Sequence, residues 1–351
     1  MDSKVRSLRI TATLATVAIG ALMFCSTASA TPVWGDKPGW IRYASDQMIN
    51  NFPAIDAFMW FNIDKERDWR VDTDPDVLQA YRESWTGLEQ GVHLDGYPTD
   101  LSVLDTFETD VQQHQARVGW FESLDTPFPT ASVVELGARG TKPFIVWEPF
   151  DGSAPGETAR TGDSRLDDIL RGDYDPYITA WAQAAAATGV DLEISFGHEM
   201  NGDWFTWGYL NGHNANTAQM HIDAFRYVHG IFAAEGATNV DWVWTINASW
   251  TDDFSVAYPG SAYVDRMGMN GFNWAEDPNG GGPDYAKWRQ FENIFGWWDP
   301  FNPSGVNNYE ALLALDDKPI IIGEMAVATP APSTLALLLL GGLAVRRRRP
   351  N

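Results

Sequence analysis

Short apolar runs that end in polar or aromatic residues recur along the chain, alternating with stretches whose apolar positions repeat at helical spacing. Eight such runs fall at 55–61, 91–96, 116–121, 143–148, 191–197, 240–246, 267–271 and 320–323. Helical stretches intervene at 75–85, 100–114, 130–138, 176–188, 217–235 and 284–297, several opening on Asp, Thr or Pro as a first turn prefers. Eight strand–helix alternations with right-handed crossovers predict an α/β fold, a single closed (β/α)8 TIM barrel. An open doubly wound sheet would need a glycine-rich phosphate loop after an early strand, and the sequence has none. The length of 351 residues with 44% hydrophobic content suffices for one large core.

In such a barrel the carboxy-terminal strand ends hold the chemistry. Here those ends carry Trp60 and Asn62, Trp147 and Glu148, His198 and Glu199, Asn247 and Trp250, Asn270 and Phe272, and Glu324. The densest segment is 191–207, a buried-strand pattern that delivers the His198-Glu199 pair into a loop bearing Trp204 and Trp207. A zinc-protease reading of His-Glu fails because position 202, one helical turn on from His198, is Gly. No metal or other cofactor is expected. Glu199 and Glu324 lie on strands three apart in a ring of eight, so they can face each other across the mouth. Two facing carboxyls are what glycosidic bond cleavage requires, one donating a proton and the other attacking the anomeric carbon. Flanked by His198 and Met200, Glu199 suits the acid; Glu324, after three isoleucines and Gly323, would need hydrogen-bond donors to stay ionised. Glu148 reads as either a substrate contact or a barrel-lining group paired with a neighbour.

Charge and aromatic content narrow the partners. The formal net charge is −23, which makes nucleic acid an unsuitable partner and leaves a neutral polymer compatible. Seventeen tryptophans supply faces that can stack on pyranose rings, although core packing accounts for most of them.

Both ends of the chain look like addresses. Lys4, Arg6 and Arg9 precede an apolar run over 10–24, and Ala28-Ser29-Ala30 offers a small-residue cleavage site, so residues 1–30 read as a secretory signal. The single cysteine, Cys25, lies inside it, leaving a mature chain without disulfides. At the other end, 329–351 runs from Pro330-Ala331-Pro332-Ser333 through eleven apolar residues to Arg346–Arg349. This order resembles the PEP-CTERM sorting tail of Gram-negative bacteria, with Ala331 replacing the usual Glu. It implies export and processing at the cell surface by sorting machinery; a tail helix packed on the domain is the alternative. The barrel is expected over 31–328.

The run Gly197-His198-Glu199-Met200-Asn201-Gly202-Asp203-Trp204-Phe205-Thr206-Trp207-Gly208 resembles the acid/base motif of glycoside hydrolase family 26. Further matches are 144–150, 241–244, Gly271-Phe272-Asn273-Trp274 and the strand Lys318–Glu324, which looks like the family's nucleophile strand. The resemblance implies a retaining endo-β-glycanase acting on β-1,4-mannan-type polysaccharide, with lichenase, β-1,3-xylanase or non-catalytic glycan binding as alternatives. It implies Glu199 as acid/base, Glu324 as nucleophile, His198 as the neighbour orienting the site, and Trp204 as a sugar platform. Trp60, Trp147, Glu148, Asn201, Phe272 and Trp274 are the further expected substrate contacts. The family's closing segment resembles residues 40–72, at the front of this chain, which reads as a circular permutation; a fragment of a longer repeated protein is the alternative. Phe272 stands where many relatives have a Tyr that bonds the nucleophile, Asn270 where an Asp is common, and Ser195 where an Arg is frequent. Loss of the Tyr hydroxyl is expected to raise the pKa of Glu324.

Overall fold

A computed structural model describes residues 36–152, 158–210, 214–248, 253–274, 288–296 and 307–328. The proposed signal, the proposed sorting tail and Trp250 lie outside them.

Eight parallel strands close into a barrel in sequence order: β1 (Ile55–Asn62), β2 (Glu89–Leu94), β3 (Arg117–Glu122), β4 (Lys142–Trp147), β5 (Leu192–Phe196), β6 (Val240–Asn247), β7 (Arg266–Asn273) and β8 (Ile320–Val327). The ring closes where Ile55 and Phe58 of β1 pair with Ile320 and Ile322 of β8. Parallel strands covered on both faces bury nearly every residue, so most of these strands read as continuous apolar runs. The helices begin on local signals: Asp74 caps Pro75–Glu83 by accepting from the backbone N–H of Asp76 and Val77, and Thr217 caps Ala218–Ala234 by accepting from Met220. Three α-helices were not anticipated from the apolar pattern, Lys37–Asn51, Leu166–Leu170 and Asn308–Leu315. Of the expected stretch 284–297, the described part holds a helix only at Phe291–Phe295.

Side chains alternate between two layers. Ala57, Met59, Phe144, Val146, Val243 and Ile321 fill the barrel interior. Their neighbours Phe58, Trp60, Trp147 and Ile322 pack outward in the main core. β8 interrupts this alternation. Met269 of β7 pairs with Ile322 and the next residue, Asn270, pairs with Glu324, so Gly323 is an extra residue with no partner on β7. Such a bulge re-aims the side chain that follows it. With Ile321 inside and Ile322 outside, strict alternation would send Glu324 outward; the bulge puts it opposite Asn270. The strand therefore does not end at Gly323, and Glu324 is an interior strand residue.

At the opposite end, charged residues near the strand starts form a network around Glu193, which has no exposed surface. Arg117 Nε donates to Glu193 Oε2 at 2.9 Å, Arg266 Nε approaches Oε1 at 3.4 Å and Lys142 Nζ lies 3.9 Å from it. These cations also meet Glu89, Asp56 and Asp241, so seven of the eight strands contribute. Leaving the three cations without their shared carboxylate strands buried charge. Glu193→Ala is therefore expected to lower unfolding free energy by ~3–5 kcal/mol, read from denaturant melts; a loss under ~1 kcal/mol would show that the network is dispensable.

Candidate active site

The two glutamates come together at the carboxy-terminal mouth. Glu199 lies in the turn after β5 with φ of +51°, a left-handed conformation rarely adopted by a residue with a side chain. Holding it costs ~1–3 kcal/mol, and the turn is fixed by Glu199 N–H donating to Thr245 O of β6 at 2.8 Å. Glu324 is carried by the bulged strand. Both residues are buried, at 6% exposure each.

Each receives a side-chain hydrogen bond. Asn270 Nδ2 donates to Glu324 Oε1 at 2.7 Å. Trp204 Nε1 donates to Glu199 Oε2 at 2.9 Å. His198 is 2% exposed, and its Nε2 lies 3.9 Å from Glu324 Oε1. Burial, aided by nearby His93 and two cations, lowers the His198 pKa to about 3, so its ring is neutral. A neutral imidazole leaves Glu324 without a cation at that contact.

Both glutamates are raised above the usual carboxylate range, first by burial. Glu324 is raised well above it because the charges of Glu199 and Glu148 add to burial, while Lys65 and the Asn270 bond oppose. Its position differs from the sequence-based requirement of donors that would keep it ionised. Phe272 brings no hydroxyl and instead packs among Trp69 and Phe61, with ring centroids 5.2 and 5.5 Å away. For Glu199, the nearby amides of Asn270 and Asn247 and the bond from Trp204 offset part of the burial.

Several expected contacts occupy the rim. Trp204 is half-buried and keeps its indole N–H on Glu199. It can fold that close because a Cβ on Gly202 would sit 2.5 Å from its ring. Trp274 is half-buried against Trp69, with centroids 5.0 Å apart. Glu148 is half-buried beyond β4; burial pushes its pKa up to about 8 against the pull of Lys65 and Arg160, with Glu199 adding to the rise.

Three expected contacts are corrected. Trp60 is fully buried on the outer face of β1, its indole N–H donating to Trp69 O and its ring edge-on to Tyr81 at 5.6 Å. Trp147 is likewise buried outside β4, stacked on Trp181 at 4.3 Å. Both fail for one reason: the pleat turns consecutive residues to opposite faces, so Phe61 and Glu148 face the mouth instead. Asn201, with no exposed surface, spends its amide on a reciprocal clip, Nδ2 donating to Asn247 O at 3.0 Å and Oδ1 accepting from Asn247 N–H at 2.8 Å. It holds the Glu199 loop against β6.

Two cations were missed. Lys65, after β1, and Arg160, in the 158–161 turn after β4, both act on Glu148 and His198. They converge loosely on Glu66, at 3.7 and 3.9 Å, and Arg160 lies over the Phe205 ring at 5.5 Å. With only 24 basic residues against 47 acidic ones, loop cations beyond strand ends were a usable signal.

A closed (β/α)8 barrel with paired buried carboxyls and an aromatic rim at the catalytic face has the form of a glycoside hydrolase domain. Residues 164–294 match the model of glycosyl hydrolase family 26. It is 30% identical over 250 residues to endoglucanase H of Acetivibrio thermocellus, an alignment covering 69% of this chain and 24% of that protein. Against a mannan endo-1,4-beta-mannosidase of Bacillus subtilis it is 33% identical over 81 residues, 21% of either chain. The chain thus spans about a quarter of the first relative and about a fifth of the second. A solved Bacillus subtilis mannanase structure aligns with 88% of this chain and 80% of its own at 16% identity, with a TM-score of 0.46.

Glu148 provides a signed pH test. Its folded pKa of about 8 exceeds the ordinary 4.5 of a glutamate, so the stability it contributes is full below 4.5 and is lost as pH rises towards 8. Glu148→Gln cannot ionise, and its melting temperature relative to wild type is expected to rise steadily between pH 4.5 and 8; a flat difference would refute the assignment.

Proposed function

We propose that this chain is a retaining endo-β-glycanase that cleaves β-1,4-mannan-type polysaccharide by double displacement. The observation that carries the reading is the convergence of two buried carboxyls, from β8 and from the turn after β5: His198, next to Glu199 in the chain, lies 3.9 Å from Glu324, and the charge of Glu199 acts on Glu324. In the proposed cycle Glu324 attacks the anomeric carbon as Glu199 protonates the departing oxygen; Glu199 then takes a proton from water, which displaces Glu324. The donors on Glu199 serve the carboxylate it becomes after the first step. A bound sugar hydroxyl supplies Glu324 with a further donor. Trp204 and Trp274 offer platforms for pyranose rings, and no cofactor enters the chemistry.

The longer alignment is with a protein named as an endoglucanase, and this favours mixed-linkage β-glucan as the second substrate class. The reading includes export through residues 1–30 and surface sorting through residues 329–351. It also includes a strand order rotated by one relative to the family.

Two measurements test it. The purified chain is expected to release reducing ends from mannan or glucomannan, with mixed-linkage glucan and β-1,3-xylan as competitors; silence on all four would defeat the enzymatic reading and leave glycan binding, measurable by calorimetry. Glu199→Ala is expected to lose ~10²–10⁴-fold on polysaccharide but much less on aryl glycosides with activated leaving groups, since only proton donation is missing. Equal losses on both substrates would contradict its role.

A further inference from the structure

Resting on the double-displacement reading, we propose that His93 is a positioning residue that aims Glu324 by anchoring the peptide bond just before it. His93 comes from β2, two strands from β8 in the ring, and has no exposed surface. Its Nε2 lies 3.1 Å from the carbonyl oxygen of Gly323, the bulge residue. A carbonyl only accepts, so Nε2 carries the proton and donates. Nδ1 is then the bare nitrogen, and it has no hydrogen-bond partner among the described residues. Burial lowers the ring's pKa to about 4, which makes it an uncharged donor at neutral pH. The position is built around the ring: Gly119 pairs with His93 on β3, and a Cβ there would lie 2.4 Å from His93 Cε1. Phe61, Phe121 and Phe144 surround it, with ring centroids 5.9, 5.4 and 6.1 Å away. What sets His93 apart from these aromatic neighbours is its N–H.

The bulge makes that bond matter for the carboxyl. Gly323 has no partner on β7, and on the β1 side the register slips between the pairs Phe58 with Ile322 and Trp60 with Met325. Neither neighbouring strand therefore holds this stretch in regular register, and glycine lacks the Cβ that narrows backbone torsions. The Gly323 carbonyl and the Glu324 N–H belong to one planar unit. Holding the oxygen sets the rotation of that whole peptide, and with it the direction in which the Glu324 side chain leaves the backbone. His93 thus acts on Glu324 through the main chain, while Asn270 Nδ2 holds the carboxyl itself at 2.7 Å. In the proposed first step the bond from Glu324 to the anomeric carbon forms, the glycosidic bond breaks, and the Glu199 proton leaves with the departing oxygen. The attacking oxygen must be in line for this, and a displacement of about 1 Å costs on the order of 10²-fold in rate.

Two measurements need no substrate. In imidazole nitrogen NMR of the intact chain, with His93→Gln identifying the signal, His93 is expected to be the neutral tautomer protonated at Nε2 from about pH 5 to about pH 8. A proton on Nδ1, alone or in a charged ring, overturns the anchor. In crystals, His93→Phe is expected to rotate the peptide between Gly323 and Glu324 and draw the carboxyl away from Asn270; an unmoved peptide overturns the proposal. On an active substrate, His93→Phe is expected to lower kcat ~10²-fold with KM changed less than about threefold. Nucleophilic attack is impaired here, not proton donation, so the loss extends to aryl glycosides with activated leaving groups, on which Glu199→Ala is expected to lose much less. A glutamine can place its amide nitrogen where His93 has Nε2, whereas an asparagine reaches only as far as Nδ1. His93→Gln is therefore expected to keep roughly a tenth or more of kcat, and His93→Asn to fall as far as His93→Phe. Full kcat in His93→Phe, or equal losses in His93→Gln and His93→Phe, overturns the role. If His93→Phe does not fold, Gly119→Ala, which displaces the ring, is expected to give the same rotation and loss, and wild-type kcat in it overturns the proposal. If wild type cleaves no glycan the proposed function fails, yet the tautomer and the peptide still decide whether the anchor exists.

Discussion

Closing eight strands into a ring leaves an interior in which an ion has almost no water, and this chain meets that constraint in opposite ways at its two ends. At the base, the fully buried Glu193 is surrounded by Arg117, Lys142 and Arg266, which are in turn tied to carboxylates on other strands. Charge there is matched and the strands are locked together. At the mouth, Glu199 and Glu324 have no ion pair with Lys or Arg among the described residues, so burial holds both above the ordinary carboxylate range, and the charge of Glu199 adds to the rise at Glu324. In the proposed double displacement the site gains and releases protons, and incomplete compensation suits that role.

The aim of each carboxyl depends on a local departure from regular backbone. Glu199 occupies a left-handed turn, held by its N–H bond to Thr245 and by the Asn201 clip onto Asn247. Glu324 follows an unpaired Gly323 that shifts the strand by one residue. Each departure costs energy locally, and each brings a side chain to the barrel axis that regular geometry would have directed elsewhere. The same glycine accommodates the Asn270 oxygen, so the bulge orients both the acid and the amide bonded to it.

Much of this was legible along the chain. Apolar runs and capping residues located all eight strands and most described helices because burial on both faces and helix starts leave local marks. The His198-Glu199 loop and the Ile-rich strand before Glu324 stood out because polar groups at the end of a buried run are costly without a purpose. Layer assignment failed for Trp60 and Trp147: an aromatic residue near a strand end suits a sugar platform and an outer core equally well, and only the pleat chooses between them. Asn201 failed because its partner is backbone 46 residues away, which carries no sequence signature.

By itself, then, the sequence determined the number and order of strands, the barrel class and the identity of the two paired glutamates, since each follows from local periodicity and residue chemistry. The tertiary structure alone decided which way residues point, through the Gly323 bulge, and which groups compensate which charges, through the contacts of Asn270 with Glu324, of Trp204 with Glu199, and of Glu193 with its three cations. Those outcomes depend on distances between strands far apart in sequence, and in a closed ring such distances exist only once the first strand has met the last.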